Sequence, residues 1–314
     1  MRKFAVLLFF VSFAIIGFAQ VNKESDLEIM NLRGNVKYIE KSTYYPQSKV
    51  ITQDSVYFNP SYRGYVLMKF NKDGNMDHSI IKNKFFPNFS KVITEQYIYK
   101  YSENGALFEK MYSKKDVFDI NYKYTYDKQG NLIKEASFYK DNSSGQYTTY
   151  NFDAKGNQIE MSSFYEDGKL LYRKTYEYNT KGNVIRENSF SPYNELNSYS
   201  EYKYDDKCNK IEKNYFSKDG ILDERTSYKY DKQGNLTEEK IFKSNGDLKD
   251  IRTYQYKYDN KFNWIEKKSL SKSNSVFETE ERKIVYYGDK DENNYPSWDD
   301  VNYLAEDIKL NVEK

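Results

Sequence analysis

From residue 124 to residue 258, aromatic and polar side chains alternate in short bursts, each closed by Asp or Asn. Tyr124-Thr125-Tyr126-Asp127 is followed by Tyr150-Asn151-Phe152-Asp153, Tyr176-Glu177-Tyr178-Asn179, Tyr202-Lys203-Tyr204-Asp205, Tyr228-Lys229-Tyr230-Asp231 and Tyr256-Lys257-Tyr258-Asp259. A period of two in β-favouring residues predicts a strand with one aromatic and one charged face. Turn chemistry comes next, as in Asp127-Lys128-Gln129-Gly130-Asn131. Asp or Asn can accept hydrogen bonds from the backbone that follows it, and Gly supplies the left-handed conformation a hairpin needs. A second strand carries Ile133, Ile159, Ile185, Ile211 and Ile265, then alternating Lys and Glu, then Phe138, Phe164, Phe190, Phe216, Phe242 and Leu270. Further turns, such as Lys218-Asp219-Gly220, send the chain back. Each unit therefore reads as one β-hairpin.

The Asp/Asn position recurs at intervals of 31, 25, 26, 26, 26, 26 and 28 residues, from weaker copies at Asn71 and Ser102 to Asp259. A fixed period of this size marks a repeat architecture. The expected fold is all-β: tandem hairpin repeats of ~26 residues forming a long, curled antiparallel meander, because open sheets rarely exceed ~10 strands without curling. A flat single-layer sheet is the alternative. In the curled form the Tyr, Phe and Ile columns lie inside and Lys/Glu ladders outside. The Ile and Phe columns stand five residues apart, so a bulge between them is expected to restore a common face. Cys208 and Phe262 occupy the Gly position of their turns, and the strained conformation is expected to pass to Asn209 and Asn263.

Residues 1–19 read as a signal peptide: Arg2 and Lys3 precede an apolar run from Phe4 to Phe18, with Gly17 and Ala19 before the cleavage point. That run is shorter than the ~20 residues needed to span a bilayer, and no transmembrane segment is expected in the mature chain. Residues 20–64 are read as an N-terminal cap with opening strands, Leu32 to Tyr45 among them. Residues 65–290 form the repeat domain. Residues 291–314 form a C-terminal cap, with a short amphipathic helix in which Ser297 and Asp300 make a capping box and Val301, Leu304, Ala305 and Ile308 make one face. Export places the mature protein in the periplasm, at the cell surface or outside the cell.

Composition narrows the function further. Removing Arg2 and Lys3 from 49 basic residues leaves 47 against 47 acidic ones, so the basic excess of a nucleic-acid binder is missing. A mean hydropathy of −0.95 alone suggests disorder, but 34 Tyr and 20 Phe point to a folded, tyrosine-built chain. Cys208 is the only cysteine, so stability cannot rest on an intrachain disulfide.

The recurring Tyr126-Asp127-x-x-Gly130-Asn131 and Tyr230-Asp231-x-x-Gly234-Asn235 resemble the tyrosine-aspartate repeats of the Rhs family, over approximately residues 65 to 290. In that family the repeats form a curling β-sheet, often a shell enclosing a toxic C-terminal domain, and some members are described as sugar-binding. Here the units are longer, Asn stands where Arg commonly follows Gly, and no toxin domain follows the last repeat. Exported repeat proteins of Bacteroidetes-type bacteria look closer. The resemblance implies fold and compartment, and little about activity.

No catalytic, cofactor-binding or metal-ligating residues emerge, and no cofactor is expected. His78 is the only histidine and reads as a solvated strand residue beside the turn Lys72-Asp73-Gly74-Asn75. The stretch from Asn71 falls short of a calcium loop, because Lys69 and Ile80 stand where its first and last ligands belong. The second-strand glutamates recur beside lysines in every unit, as an outer charged face does. A non-enzymatic exported scaffold or binding surface at the cell envelope is the leading expectation, with an unknown protein or envelope glycan as partner. A glycan-binding module using Tyr, Trp264 and Trp298 is the first alternative. An enzyme with a site near the irregular 46–95 region is the second.

Overall fold

The computed structural model describes residue 30 and residues 32–51, 56–84, 92–103, 106–114 and 118–289. The expected C-terminal helix, Trp298 and the signal peptide lie outside these residues.

Eighteen strands and no helix are found among the described residues, from β1 (Val36–Ile51) and β2 (Val56–Phe70) to β17 (Trp264–Leu270) and β18 (Val276–Tyr286). Each strand pairs antiparallel with the next, and β1 pairs both with β2 and, through Val36 to Tyr44, with β18. The sheet therefore closes into a barrel. This replaces the open curl, whose ends would have needed caps, and it excludes the flat sheet, since closure removes the unpaired edges.

The Asp turns are built as the residue types dictate. The Asp127 carboxylate Oδ1 accepts from the backbone N–H groups of Gln129 and Asn131 at 2.9 and 2.8 Å, and Asn131 Nδ2 donates to Asp127 Oδ2 at 2.8 Å. Gly130 holds the left-handed position with φ 88°. At Cys208 and Phe262 the strain does not pass to the following Asn: these residues themselves adopt φ 63° and 62°. The two backbone bonds that close the turn recur there at 3.0–3.1 Å and 2.9–3.1 Å, so the turn's pairing outweighs the cost of a Cβ in that region, about 1 kcal/mol.

The expected bulge is displaced, and the aromatic columns divide. Between β10 (Leu170–Tyr178) and β11 (Val184–Phe190) the register runs unbroken from Arg173↔Phe190 to Glu177↔Arg186, then shifts at Tyr178↔Val184. The extra residue is Ile185 itself. Phe190 therefore faces away from Tyr176, and Glu187, opposite Tyr176, shares the tyrosine face. On the other face, Phe164 and Phe216 stack on Tyr147 and Tyr199 with centroids 4.9 and 4.7 Å apart. The Arg173 and Arg225 guanidiniums lie 4.0 and 4.5 Å from the ring centroids of Phe190 and Phe242. The Ile column is no core either: Ile159, Ile185 and Ile211 are exposed.

Burial marks the inner face: Tyr176, Ser200, Thr226 and Ser269, all on the tyrosine face, are buried. On the tyrosine face the Lys41, Lys174 and Lys267 side chains are 20%, 34% and 23% exposed. Lys203, Lys229 and Lys257, on the opposite face, are 66–68% exposed and pair with Glu212, Glu238 and Glu266. The tyrosines line the inside, and these Lys–Glu ladders stand outside. Eighteen strands spaced ~4.8 Å and tilted ~40° enclose a circle ~35 Å across, too wide for facing side chains to fill. The apolar core is accordingly small. It gathers Leu32, Val36, Ile39, Met68, Phe70 and Tyr286 where β1, β2 and β18 meet.

Candidate functional site

The inner face repeats one device from unit to unit. The phenols of Tyr126, Tyr178, Tyr204, Tyr230 and Tyr256 donate to the backbone carbonyls of Leu107, Gln158, Val184, Lys210 and Leu236 at 2.6–2.9 Å. Each of the last four acceptors is the residue just after the Asn of the preceding turn, so every phenol ties one hairpin to the one before it. Burial pushes the Tyr126 and Tyr178 phenols up to about 12, which keeps them protonated donors. Near the closing seam the tyrosine reaches further. Tyr258 and Tyr286 donate to the carboxylates of Asp231 and Asp259 in the preceding turns.

Charges alternate behind these rungs. Glu135 accepts from Tyr124 and Tyr150 at 3.4 Å, Glu187 from Tyr202 at 3.4 Å, and Glu239 from Tyr254 at 3.5 Å. Lys174 pairs with Glu187 at 2.8 Å, and Glu280 takes both Lys41 and Lys267, at 2.6 and 3.0 Å. Burial raises the Glu135 carboxyl above its ordinary range, opposed by Lys110. Lys110 is lowered by its own burial, and its ammonium lies within 6 Å of the rings of Tyr97, Tyr99 and Tyr122. These glutamates hold tyrosines and lysines in place, and each is bound to structural partners.

Several turns depart from the common pattern, among them the one where the buried Asn183 Nδ2 has no partner, the last one and the one at Asp127. At the last one Asn263 is 1% exposed, its Oδ1 accepts from the Arg33 N–H at 2.7 Å, and its Nδ2 donates to the Arg33 carbonyl at 2.8 Å. The chain's own N-terminal segment thus seals that turn. At the turn of Asp127, Asn131 is 6% exposed, yet its Oδ1 has no partner. A cavity of about 390 Å³ opens there, lined by Asn131, Ile133, Tyr150, Phe152, Asp153 and Lys155 among others. Phe152 occupies the place that Tyr holds in the other rungs. The mismatch was visible in the aligned repeats, but only the fold gives it a cavity.

The remaining candidates separate. His78 lies on β3 (Met76–Lys84) opposite Lys69 and Ile98, away from the cavity. Cys208 is exposed at its turn. The Asn71 side chain accepts from the N–H groups of Asp73 and Asn75 at 3.0 Å and so works as a turn acceptor. Trp264 is covered by the Arg282 guanidinium, 3.2 Å from its ring centroid, and burial pulls that guanidinium down to about 10. No group of three or more His, Cys, Asp or Glu able to hold a metal occurs among the described residues.

No family model matches the chain, and no curated protein does. Among solved structures, a porin-like protein from Bacteroides uniformis ATCC 8492 superposes with a TM-score of 0.42 and 10% identity, over 80% of this chain and 98% of the other. TcdB2-TccC3 gives 0.34 and 12% identity, over 70% of this chain but 12% of that much longer one. A porin-like protein from Bacteroides vulgatus ATCC 8482 gives 0.29 and 8% identity, over 82% and 100%. At these values the likenesses transfer no activity.

Proposed function

We propose that this is an exported, non-enzymatic repeat barrel that serves as a scaffold or binding surface at the cell envelope. The observation that carries the reading is that both faces of the wall carry regularly paired polar groups. Outside stand Lys100–Glu109, Lys203–Glu212, Lys229–Glu238 and Lys257–Glu266, at 2.6–3.0 Å. Inside stand bound phenols and the glutamates between them. A barrel that crosses a bilayer presents an apolar band ~25 Å tall to lipid. Among the described residues the outer face sets Lys–Glu pairs between its Phe and Tyr rings, which favours a wall that meets water and works as a surface. Asp127, Asp153, Asn179 and Asp205 each close their own turn, and most rung phenols hold neighbouring hairpins, which favours architecture over chemistry. The tyrosines are half-buried with bound hydroxyls, so they support a scaffold better than an open platform of stacking rings.

Fractionation of cells producing the full chain tests this. The expected product begins near Gln20, accompanies the envelope or the medium, and leaves membranes on carbonate washing. An uncleaved chain in the cytoplasm, or an activity abolished by removing one carboxylate, sinks the reading.

A further inference from the structure

The two rims of the barrel are unlike. The Asp turns gather at one end and, because every strand runs antiparallel to the next, the returning turns gather at the other. At the Asp rim the carboxylates are taken up by their own turns. Asp153 accepts from the N–H groups of Lys155 and Asn157 at 2.9 and 2.8 Å, and Asp205 from those of Lys207 and Asn209 at the same distances. Lys128, Lys155, Lys207 and Lys232 stand exposed beside them, with no carboxylate in ion-pairing distance among the described residues. Ile159, Ile185 and Ile211 are exposed at this rim too. The returning turns reverse the charge: Glu166, Glu195 and Asp219 are exposed there, and no described residue pairs with their carboxylates. Four consecutive returning turns also present one large apolar side chain each, Tyr139, Tyr165, Tyr193 and Ile221, the last two 87% and 63% exposed. The next two turns at that rim, 243–247 and 271–275, carry none, so the patch is one-sided.

An exposed apolar patch set among polar groups marks a contact surface. We propose that the rim of returning turns docks on the Asp rim of a second copy of this chain, stacking barrels head to tail. The charges are complementary, since unpaired ammonium groups of one copy meet unpaired carboxylates of the other. Both rims repeat every two strands, ~10 Å at ~4.8 Å per strand, so the lysines of one barrel keep step with the carboxylates of the next. Tyr139, Tyr165 and Tyr193 offer ring faces to the ammonium groups, and Ile221 meets the isoleucine row. Like rims fit less well, because carboxylate would face carboxylate and lysine would face lysine. Two different surfaces make the contact, so each junction leaves a free rim at either end and the copies build a chain of barrels. The proposal rests on the scaffold reading and names the partner that such a scaffold takes.

Sedimentation velocity on the mature protein tests this. Association should rise with protein concentration in low salt and weaken at least tenfold in about 1 M NaCl, where the Debye length is ~3 Å. Two triple variants divide the rims: Lys128→Glu, Lys155→Glu and Lys207→Glu on one, Glu166→Lys, Glu195→Lys and Asp219→Lys on the other. All six side chains are exposed, and thermal unfolding checks that each variant is folded. Each variant should stay a single barrel, and an equimolar mixture of the two should associate again. Single wild-type barrels at every concentration in low salt overturn the proposal and leave the envelope reading to its own fractionation test. Flotation of those single barrels with phosphatidylethanolamine vesicles would assign the patch to lipid instead. Association lost in only one variant, or not regained on mixing, overturns the pairing of unlike rims. Association that survives in both variants overturns the assignment to the rims, and association indifferent to salt overturns the charge pairing whatever the variants do.

Discussion

Where β1, β2 and β18 meet, Val36, Ile39 and Phe70 are fully enclosed, with Leu32, Met68 and Tyr286 packed around them. From residue 71 to residue 269, by contrast, Tyr176 is the one buried apolar side chain among the described residues. The seam joins positions more than 200 residues apart, as in Val36↔Tyr286, whereas the wall joins neighbours through a bond that recurs about every 26 residues. The difference teaches where cooperativity resides. A wall of local, interchangeable bonds tolerates the loss of any one, because each contributes only about 0.5–1.5 kcal/mol. The seam must offset the entropy of closing the whole chain, and it does so by removing apolar surface from water.

Substitution in the seam should separate the two regions most widely. Phe70→Ala removes a fully buried ring and should cost about 3–5 kcal/mol in chemical denaturation. Hydrogen exchange should then accelerate first in β1 and β18, while β11 and β12 (Leu196–Tyr204) stay protected. Uniform loss of protection around the barrel would mean that seam and wall open as one unit. Tyr204→Phe is the matching cut in the wall: it deletes one phenol-to-carbonyl bond of 2.7 Å. It should cost about 1 kcal/mol, with faster exchange confined to the turns at Asn179 and Asp205. A loss as large as that of Phe70→Ala would show that the rungs are not interchangeable.

The wall was legible in the sequence and the seam was not, for a physical reason. Turn chemistry and a period of two are local, so Asp127 to Asn131 and the Tyr124/Tyr126 alternation could be read as a hairpin directly. The pairing of Val36 with Tyr286 is set by the curvature accumulated over eighteen strands, which no window of residues encodes. The Phe column was misplaced because the five-residue interval from Ile185 to Phe190 suggested a bulge between them, whereas the extra residue is Ile185. The cavity was half legible. Phe152 broke the tyrosine column in plain sight, but the solitary Asn131 Oδ1 depends on which side of the amide Asp127 takes.

A smaller effect compares the two turns where Gly is missing. Cys208 holds φ 63° with an exposed side chain, so Cys208→Gly should relieve the strain and raise stability by about 0.5–1 kcal/mol, read as a higher denaturation midpoint. Phe262 holds φ 62° but lies 5.8 Å from the Arg33 guanidinium in the segment that seals Asn263. Phe262→Gly should gain less, because it surrenders that contact. Equal gains would show that Arg33 is indifferent to the ring.

The shallowest test is acid. Asp127, Asp153 and Asp205 are each held below the ordinary carboxylate range, first by the Asn side chain four residues on and also by backbone N–H groups. A carboxyl whose folded pKa is depressed adds stability that is fully present above its unfolded value, about 3.9, and lost as pH falls through the folded value. Denaturation midpoints should therefore be flat at neutral pH and decline only below about pH 4. Asn179 is the built-in control, since it occupies the same slot and its Oδ1 accepts from Lys181 and Asn183 at 2.9 and 3.0 Å without titrating. Asp205→Asn should make that turn behave like its neighbour, removing its share of the acid slope while exchange at β1 and β18 stays unchanged. If the slope persists undiminished, the acid response belongs to the buried carboxylates of the inner face instead of to the turns.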